Sequence, residues 1–94
     1  MPVARKRCIL NGLTLQSLDG FYNELVRQLK LPPHFGRNLD ALRDVLSAEV
    51  EGPFEIVWEQ AYLSRLALGP NYDRIVRLLK DLEKERDDFT LIIA

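Results

Sequence analysis

The 94-residue sequence has few of the residues on which metal-binding and disulfide-stabilised small proteins depend. It contains one cysteine and one histidine, so an internal disulfide is excluded and the ligand set of a zinc site is missing. It has no glycine-rich phosphate loop, and no apolar run approaches the roughly 18–20 residues of a membrane span. We therefore predict no metal, no cofactor and no membrane contact, and we expect a cytoplasmic protein.

Excess charge of one sign is also scarce, because 13 basic and 14 acidic residues give a net charge of −1. Three of the basic residues cluster at positions 5–7, so from Cys8 onward 10 basic and 14 acidic residues remain, a net of −4. A nucleic-acid-binding domain usually has the opposite balance, whereas an acidic domain suits a basic protein partner. We interpret residues 1–6 as a flexible basic N-terminus and predict no direct contact with nucleic acid.

The single cysteine, Cys8, has two interpretations. Lys6 and Arg7 are close to it in sequence and could lower the pKa of a reactive thiol. Cys8 also lies in a short apolar run that predicts a strand, where it would be a small buried residue. We favour the buried interpretation over the reactive one.

The hydrophobic pattern predicts the element order β-α-α-β-α-α-β. Short apolar runs predict strands over residues 7–10, 54–58 and 89–93. Helical spacing predicts helices over 18–30, from Asn38 to Gly52-Pro53, over 60–67 and over 71–86. Connections of this length favour parallel strands. We predict an α/β fold, a small three-stranded parallel sheet packed with about four helices, in a single domain over residues 1–94. The last strand is apolar enough to be covered on both faces or on its central positions.

Two pairs of carboxylates have the spacing of neighbours on a helix face, Asp40 with Asp44 and Asp81 with Glu85. Paired carboxylates can act as general acid and base, but on an amphipathic helix they usually form a solvated surface. His34 is the only histidine, and no nucleophile lies near it in sequence. We therefore predict that the protein is not an enzyme.

Residues 31–44 predict a protruding loop followed by a helix. Two consecutive prolines end the preceding helix, Gly36 allows a tight turn or a close approach to a partner, and Asn38 is a good N-cap. Asp40 and Asp44 then lie one helical turn apart. If the loop and the helix face outward together, they form a convex acidic and aromatic surface that suits insertion into a basic pocket.

This segment resembles the signature of the barstar family. Leu31–Asp44, LPPHFGRNLDALRD, is similar to the family pattern of a proline, two aromatics, glycine, any residue and then Asn-Leu-Asp-Ala-Leu-Trp-Asp. The resemblance extends over nearly the whole chain, since Asn11-Gly12 follows the first strand, Trp58 closes the second and the sequence TLII at 90–93 forms the last. The resemblance implies a barstar-like fold.

The resemblance also implies a function, that of an intracellular, monomeric inhibitor. It would form a 1:1 complex with a microbial guanyl-specific, barnase-type ribonuclease or a ribonuclease toxin. The acid at the position of Asp44 would occupy the phosphate site of the basic nuclease, where a carboxylate can accept bidentate hydrogen bonds from arginine. Carried over position by position, the partner-binding residues are His34, Phe35, Gly36, Asn38, Asp40, Arg43, Asp44, Asp81 and Glu85.

Three positions depart from the family pattern. Arg43 stands where tryptophan is usual, His34 replaces a tyrosine, and Arg37 is basic where the type protein is acidic. Over residues 34–44 the two arginines offset the two aspartates, which weakens the attraction for a basic nuclease. Two alternatives therefore stay open: a module of the same fold that binds another protein without inhibiting a nuclease, and an immunity protein for a different toxin.

Overall fold

Seven secondary-structure elements make up the part of the chain that the computed structural model describes, residues 6–94. They are β1 Lys6–Asn11, α1 Leu18–Leu29, α2 Leu39–Ala48, β2 Phe54–Glu59, α3 Ala61–Leu68, α4 Pro70–Glu85 and β3 Phe89–Ile93. Their order is the predicted one and the three strands are parallel, so the α/β fold class is confirmed. None of the helices in residues 6–94 is long and apolar enough to cross a membrane.

β2 is the central strand of the sheet, with β1 on one side and β3 on the other. In register, Cys8 of β1 lies beside Ile56 of β2, which lies beside Leu91 of β3. The near-continuous burial that we expected for β3 belongs to β2, in which four of six residues are buried. Cover of β3 on both faces was wrong because it is an edge strand with a single neighbour, and Ile92 and Ile93 are 42% and 41% exposed, whereas its central residue Leu91 is partly buried.

Side chains cover backbone groups at both open edges of this sheet. On β1, the Gln28 amide accepts a hydrogen bond from the N–H of Ile9 and donates one to the Ile9 carbonyl oxygen, both at 2.8 Å. On β3, the Glu83 carboxylate accepts a hydrogen bond from the N–H of Leu91 at 2.8 Å. Exposed backbone groups at an edge can pair with another chain, so these contacts oppose edge-to-edge association.

Trp58 stands at the centre of the core. Its ring stacks on Phe21, with 5.6 Å between centroids, and meets the edge of Tyr72 at 5.1 Å. The indole N–H donates to Oγ of Ser64 at 3.0 Å, and that hydroxyl donates to the carbonyl oxygen of Leu15 at 3.1 Å. The buried polar atoms are therefore satisfied, and they tie β2 to α3 and to the loop before α1.

Arg86, directly after α4, ties that helix to the end of α2. Its guanidinium donates hydrogen bonds to the carbonyl oxygens of Leu46 and Val50, at 2.7 and 2.8 Å, and lies 4.9 Å from the centroid of the Phe54 ring. The carboxylate of Asp88 accepts two further hydrogen bonds, from Nε at 2.8 Å and from Nη2 at 2.7 Å. We call this group of five residues the Arg86 cluster; the Arg86 side chain in it is only 17% exposed.

Most helix ends differ from the predicted ranges, and three of the differences have a structural reason. α1 ends at Leu29 because Lys30 adopts a left-handed conformation, with φ of +53°. α2 ends at Ala48, well before the predicted stop at Gly52, and the carbonyl oxygen of Leu46 in its last turn accepts a hydrogen bond from Arg86. α4 begins at Pro70, one residue early, because a proline costs no hydrogen bond in the first turn of a helix.

The N-terminal residues of the described chain belong to the sheet. β1 begins at Lys6, whose N–H donates to the carbonyl oxygen of Pro53 at 3.1 Å, so its assignment to a flexible N-terminus was wrong. The rest of that predicted terminus, residues 1–5, lies outside the described residues. Cys8 is fully buried, and its burial, reinforced by the nearby Glu24 carboxylate, raises the pKa of its thiol to about 12. The buried interpretation of Cys8 is therefore confirmed, and the reactive one is wrong.

Candidate functional site

The loop between α1 and α2, residues 30–38, is held in place by its apolar side chains. Leu31 and Phe35 are 7% and 9% exposed, and the Phe35 ring meets the Tyr22 ring edge-on with 5.6 Å between centroids. Phe35 therefore does not contribute its ring to the convex acidic and aromatic surface considered from the sequence, because Tyr22 of α1 packs against it. A contact between Phe35 and a partner protein stays a prediction.

His34 is exposed and lies near the C-terminal end of α2. Its Nε2 atom is 3.1 Å from Oε1 of Glu49, the C-cap residue of that helix. Both side chains are exposed, so the pair contributes little to stability. Within residues 6–94 this carboxylate is its only hydrogen-bond partner, so His34 has no nucleophile to activate there.

Arg37, and not Gly36, takes the left-handed backbone conformation of this loop, with φ of +54°. At Gly36, a Cβ atom would lie 3.3 Å from the Cβ of Ala41, which is a tight contact. The Arg37 guanidinium turns back to α1, where Nη2 donates to Oδ1 of Asn23 at 2.8 Å and lies 3.7 Å from Oδ1 of Asp19. Its positive charge is therefore engaged with α1.

Asn38 begins α2 as predicted, because its Oδ1 atom accepts a hydrogen bond from the N–H of Ala41 at 2.8 Å. Asp40 follows in the first turn and Asp44 one turn later, so their Cβ atoms are about 6 Å apart on one face. Both carboxylates are exposed, and neither makes a hydrogen bond or ion pair within residues 6–94. They are therefore available to a partner.

Arg43 forms an ion pair with Glu85 that joins α2 to α4. Both side chains are about half exposed, at 43% and 47%. The charge that departs from the family pattern beside Asp44 is thus paired with a carboxylate of another helix. The same pairing means that Glu85, one of the predicted partner-binding acids, is already neutralised within the chain.

A groove of about 210 Å³ lies between α2 and α4. Two half-buried leucines give it apolar walls, and charged side chains of both signs surround them. We call it the α2–α4 groove; its lining residues are Leu39, Asp40, Arg43, Arg74, Arg77, Leu78 and Asp81.

A second groove, of about 390 Å³, runs between α1 and the start of α2. Its lining residues are Leu18, Tyr22, Arg37, Asn38, Leu39 and Asp40. Both grooves are lined by Leu39 and Asp40, so the first turn of α2 is a ridge that separates them. Asp40 therefore lies between the two grooves and borders both of them.

Asp81 completes the acidic part of the site. It is exposed on α4, lines the α2–α4 groove with Asp40, and makes no hydrogen bond or ion pair within the described chain. We call Asp40, Asp44 and Asp81 the carboxylate face. Since Arg37 and Arg43 are paired with other acids, these three charges are not offset by the arginines that flank them in sequence.

Arg74 and Arg77 are groove residues that we did not predict from the sequence. Positions 74, 77, 78 and 81 follow the i, i+3, i+4, i+7 spacing, which places them on one face of α4. That spacing was the available signal. It was missed because a mixed-charge helix face is usually only a solvated surface.

The chemistry that this surface can supply is ionic recognition. Within residues 6–94, no three His, Cys, Asp or Glu side chains are grouped closely enough to hold a metal ion. The charged groups stand on a ridge and around shallow grooves, where they can form salt bridges and hydrogen bonds with a charged partner. The fold and the candidate site thus define a small α/β protein with a charged, grooved surface on α2 and α4.

Comparison with known proteins identifies the family. The sequence model of the Barstar (barnase inhibitor) family matches residues 5–94, so this chain belongs to that family. The chain is also similar to "Putative ribonuclease inhibitor YrdF" of Bacillus subtilis (strain 168). The two are 29% identical over 89 residues, which cover 94% of this chain and 98% of the relative.

Proposed function

We propose that this protein inhibits a ribonuclease by placing the carboxylate face in the active site of the enzyme. Its membership of the barnase inhibitor family and its similarity to a relative named as a ribonuclease inhibitor support this function. One observation carries the choice of surface. The three carboxylates are exposed and unpaired within residues 6–94, while Arg37 and Arg43 beside them are paired with Asp19 and Glu85.

The proposed mechanism is mimicry of RNA phosphate. A carboxylate can replace two phosphate oxygens and accept bidentate hydrogen bonds from an arginine of the enzyme. Asp44 takes this role, and Asp40, on the ridge between the two grooves, meets the edge of the same cationic pocket. The target that fits is a basic, guanyl-specific ribonuclease of the barnase type.

Some of the remaining predicted partner-binding residues contact the enzyme, and others hold the loop and the helices of the site in place. His34 is exposed and belongs to the rim of the interface, next to the backbone of Gly36. Phe35 supports the loop from inside, and Asn38 supports the first turn of α2 by capping it. The pair of Arg43 with its α4 partner fixes the two helices relative to each other.

We also propose that the inhibitor acts as a monomer in a 1:1 complex in the cytoplasm, where it protects the cell from a ribonuclease toxin. The coverage of both sheet edges by Gln28 and Glu83 supports a monomer. Sedimentation equilibrium should give the monomer mass for the wild type. Gln28→Ala should increase self-association, because the N–H and carbonyl groups of Ile9 lose their partner.

Titration against barnase tests the proposed function. The inhibitor is added in steps to the purified enzyme, and RNA cleavage is followed with the wild type, Asp44→Asn and Asp87→Asn. Asp87 is a matched control, because it is exposed between α4 and β3 and makes no hydrogen bond or ion pair within residues 6–94. We expect the wild type and Asp87→Asn to inhibit with 1:1 stoichiometry.

The Asp44→Asn variant should inhibit about 100-fold less tightly, since two hydrogen bonds from a charged donor contribute about 3 kcal/mol. Equal inhibition by Asp44→Asn and the wild type would contradict the mimicry. Absence of inhibition by every variant would instead favour an immunity protein for a different toxin or a module that binds another protein.

A second candidate is an immunity protein for a different toxin. The α2–α4 groove favours it, because Arg74 and Arg77, which form no ion pair within residues 6–94, place positive charge beside the carboxylate face. A partner that is basic throughout would be repelled at this groove.

A further inference from the structure

We propose that the α2–α4 groove selects which ribonuclease is bound, by admitting one that presents an acidic side chain to Arg74 and Arg77 beside its cationic active site. The inference rests on the proposed function, since it assumes that a ribonuclease covers the carboxylate face. It concerns a different part of the surface, the basic wall of the groove on α4.

The charges of Arg74 and Arg77 are not neutralised within the described chain. Both side chains are exposed; Arg77 makes no hydrogen bond or ion pair within residues 6–94, and Arg74 makes one hydrogen bond, of 3.5 Å, to Oδ1 of Asn71. The arginines at positions 37, 43 and 86 are each paired with an acid. Arg74 and Arg77 remain unpaired although Asp81 lines the same groove.

The surroundings of these arginines make their charge selective. Leu39 and Leu78 line the groove as half-buried apolar residues, so a partner that covers it removes water from the charged groups. Electrostatic interactions strengthen when water is removed. A lysine or arginine of the enzyme would then be repelled, whereas an aspartate or glutamate would accept hydrogen bonds from the guanidinium groups.

A protein partner fits this groove better than RNA does. Asp40 and Asp81 line the same groove as Arg74 and Arg77, and these two carboxylates would repel a phosphodiester backbone. A protein surface that carries both signs of charge can pair with both sets of residues at once. The complementarity therefore points to an acidic side chain next to the cationic pocket of a ribonuclease.

The test measures inhibition constants against barnase and against barnase variants in which each lysine or arginine at the rim of the active site is replaced in turn by glutamate. The inhibitors are the wild type, Arg77→Glu and Lys80→Glu. Lys80 is a matched control because it is exposed on the same helix, changes the net charge equally, does not line the groove and is unpaired in residues 6–94. Circular dichroism verifies that each variant is folded.

We expect Arg77→Glu to inhibit unmodified barnase about tenfold more tightly than Lys80→Glu does. We also expect the wild-type inhibitor to bind at least one glutamate variant of barnase about tenfold more tightly than it binds unmodified barnase. The Arg77→Glu inhibitor should show no such gain with that barnase variant. Equal effects of Arg77→Glu and Lys80→Glu, or no gain with any barnase variant, would overturn the inference.

Two further outcomes are distinguishable. If the wild type does not inhibit barnase, the inference expects Arg74→Glu/Arg77→Glu to gain inhibition, and no gain overturns it. If a short RNA oligonucleotide binds the wild type and not Arg77→Glu, the groove is a nucleic-acid site and the inference is overturned.

Failure of the groove inference can be told from failure of the proposed mechanism. Loss of inhibition in Asp44→Asn with equal effects of Arg77→Glu and Lys80→Glu would remove only the groove inference. Full inhibition by Asp44→Asn would remove the proposed mechanism.

Discussion

Charged side chains on and next to α2 and α4 form two regions, and the two regions are built differently. In the Arg86 cluster, the arginine side chain is 17% exposed, and its guanidinium contacts two backbone carbonyls, a carboxylate and an aromatic ring. On the carboxylate face, three acids are exposed and have no partner in residues 6–94. A charge that leaves water must be satisfied within the molecule, whereas an exposed charge can be kept for a partner.

The Arg43–Glu85 pair lies between these extremes. It joins the same two helices as the Arg86 cluster, but its side chains are about half exposed. Solvent screens such a pair, so its contribution to stability is small even though it connects separate elements. The pair does affect the distribution of charge. Because Arg43 is paired with Glu85, the carboxylate face keeps its negative charge. If the Arg86 cluster serves stability and the carboxylate face serves binding, variants of the two regions should have separate effects.

The largest loss of stability is expected from Arg86→Ala. The variant loses the hydrogen bonds to the carbonyl oxygens of Leu46 and Val50 and the contact with Phe54, which should lower the free energy of unfolding by about 2–4 kcal/mol. Urea unfolding measures it. The folded variant should keep the inhibition constant of the wild type, since Arg86 is outside the carboxylate face; a large loss of inhibition would show that the two regions are coupled.

A smaller loss of stability is expected from Arg43→Ala, which removes an arginine that also connects α2 to α4. Because the pair with Glu85 is exposed, the free energy of unfolding should fall by no more than about 1 kcal/mol. The same urea experiment compares it directly with Arg86→Ala. A loss as large as that of Arg86→Ala would mean that exposure does not explain the difference between the two arginines.

The smallest effect is a change in the response to acid. The hydrogen bond from Arg86 lowers the pKa of Asp88 below its ordinary value of 3.8. A carboxyl group whose pKa is depressed in the folded state stabilises the protein fully above its unfolded pKa, and this stabilisation is lost as the pH falls through the folded pKa. Asp88→Asn should therefore show a weaker dependence of unfolding free energy on pH below about pH 4. An unchanged dependence would contradict the pairing.

The sequence predicted the element order and the α/β class because periodicity and turn residues are local signals. It did not predict which strand is central, since a run of apolar residues is compatible with a covered strand and with the exposed end of β3. The positions of neighbouring strands decide between them, and these are set by tertiary contacts. The same limit applies to His34 and Phe35, which are adjacent in the loop but differ in exposure because only Phe35 reaches Tyr22.

The candidate site was predicted in part. The positions of Asp40 and Asp44 on one face follow from their spacing, and Asn38 was identified as the N-cap. The pairing of Arg43 with Glu85 joins residues 42 positions apart, so no local pattern reveals it. Arg86 was not noticed for the same reason, because its partners belong to the end of α2, to β2 and to the turn before β3.

The most direct test of binding by the carboxylate face measures two quantities on two variants. For Asp44→Asn and Arg86→Ala, the inhibition constant against barnase and the free energy of unfolding are determined under one set of conditions. We expect Asp44→Asn to inhibit about 100-fold less tightly than the wild type, with an unchanged free energy of unfolding. We expect Arg86→Ala to have a lower free energy of unfolding and an unchanged inhibition constant. Inhibition by Asp44→Asn that equals the wild type would contradict the claim that the carboxylate face binds the ribonuclease.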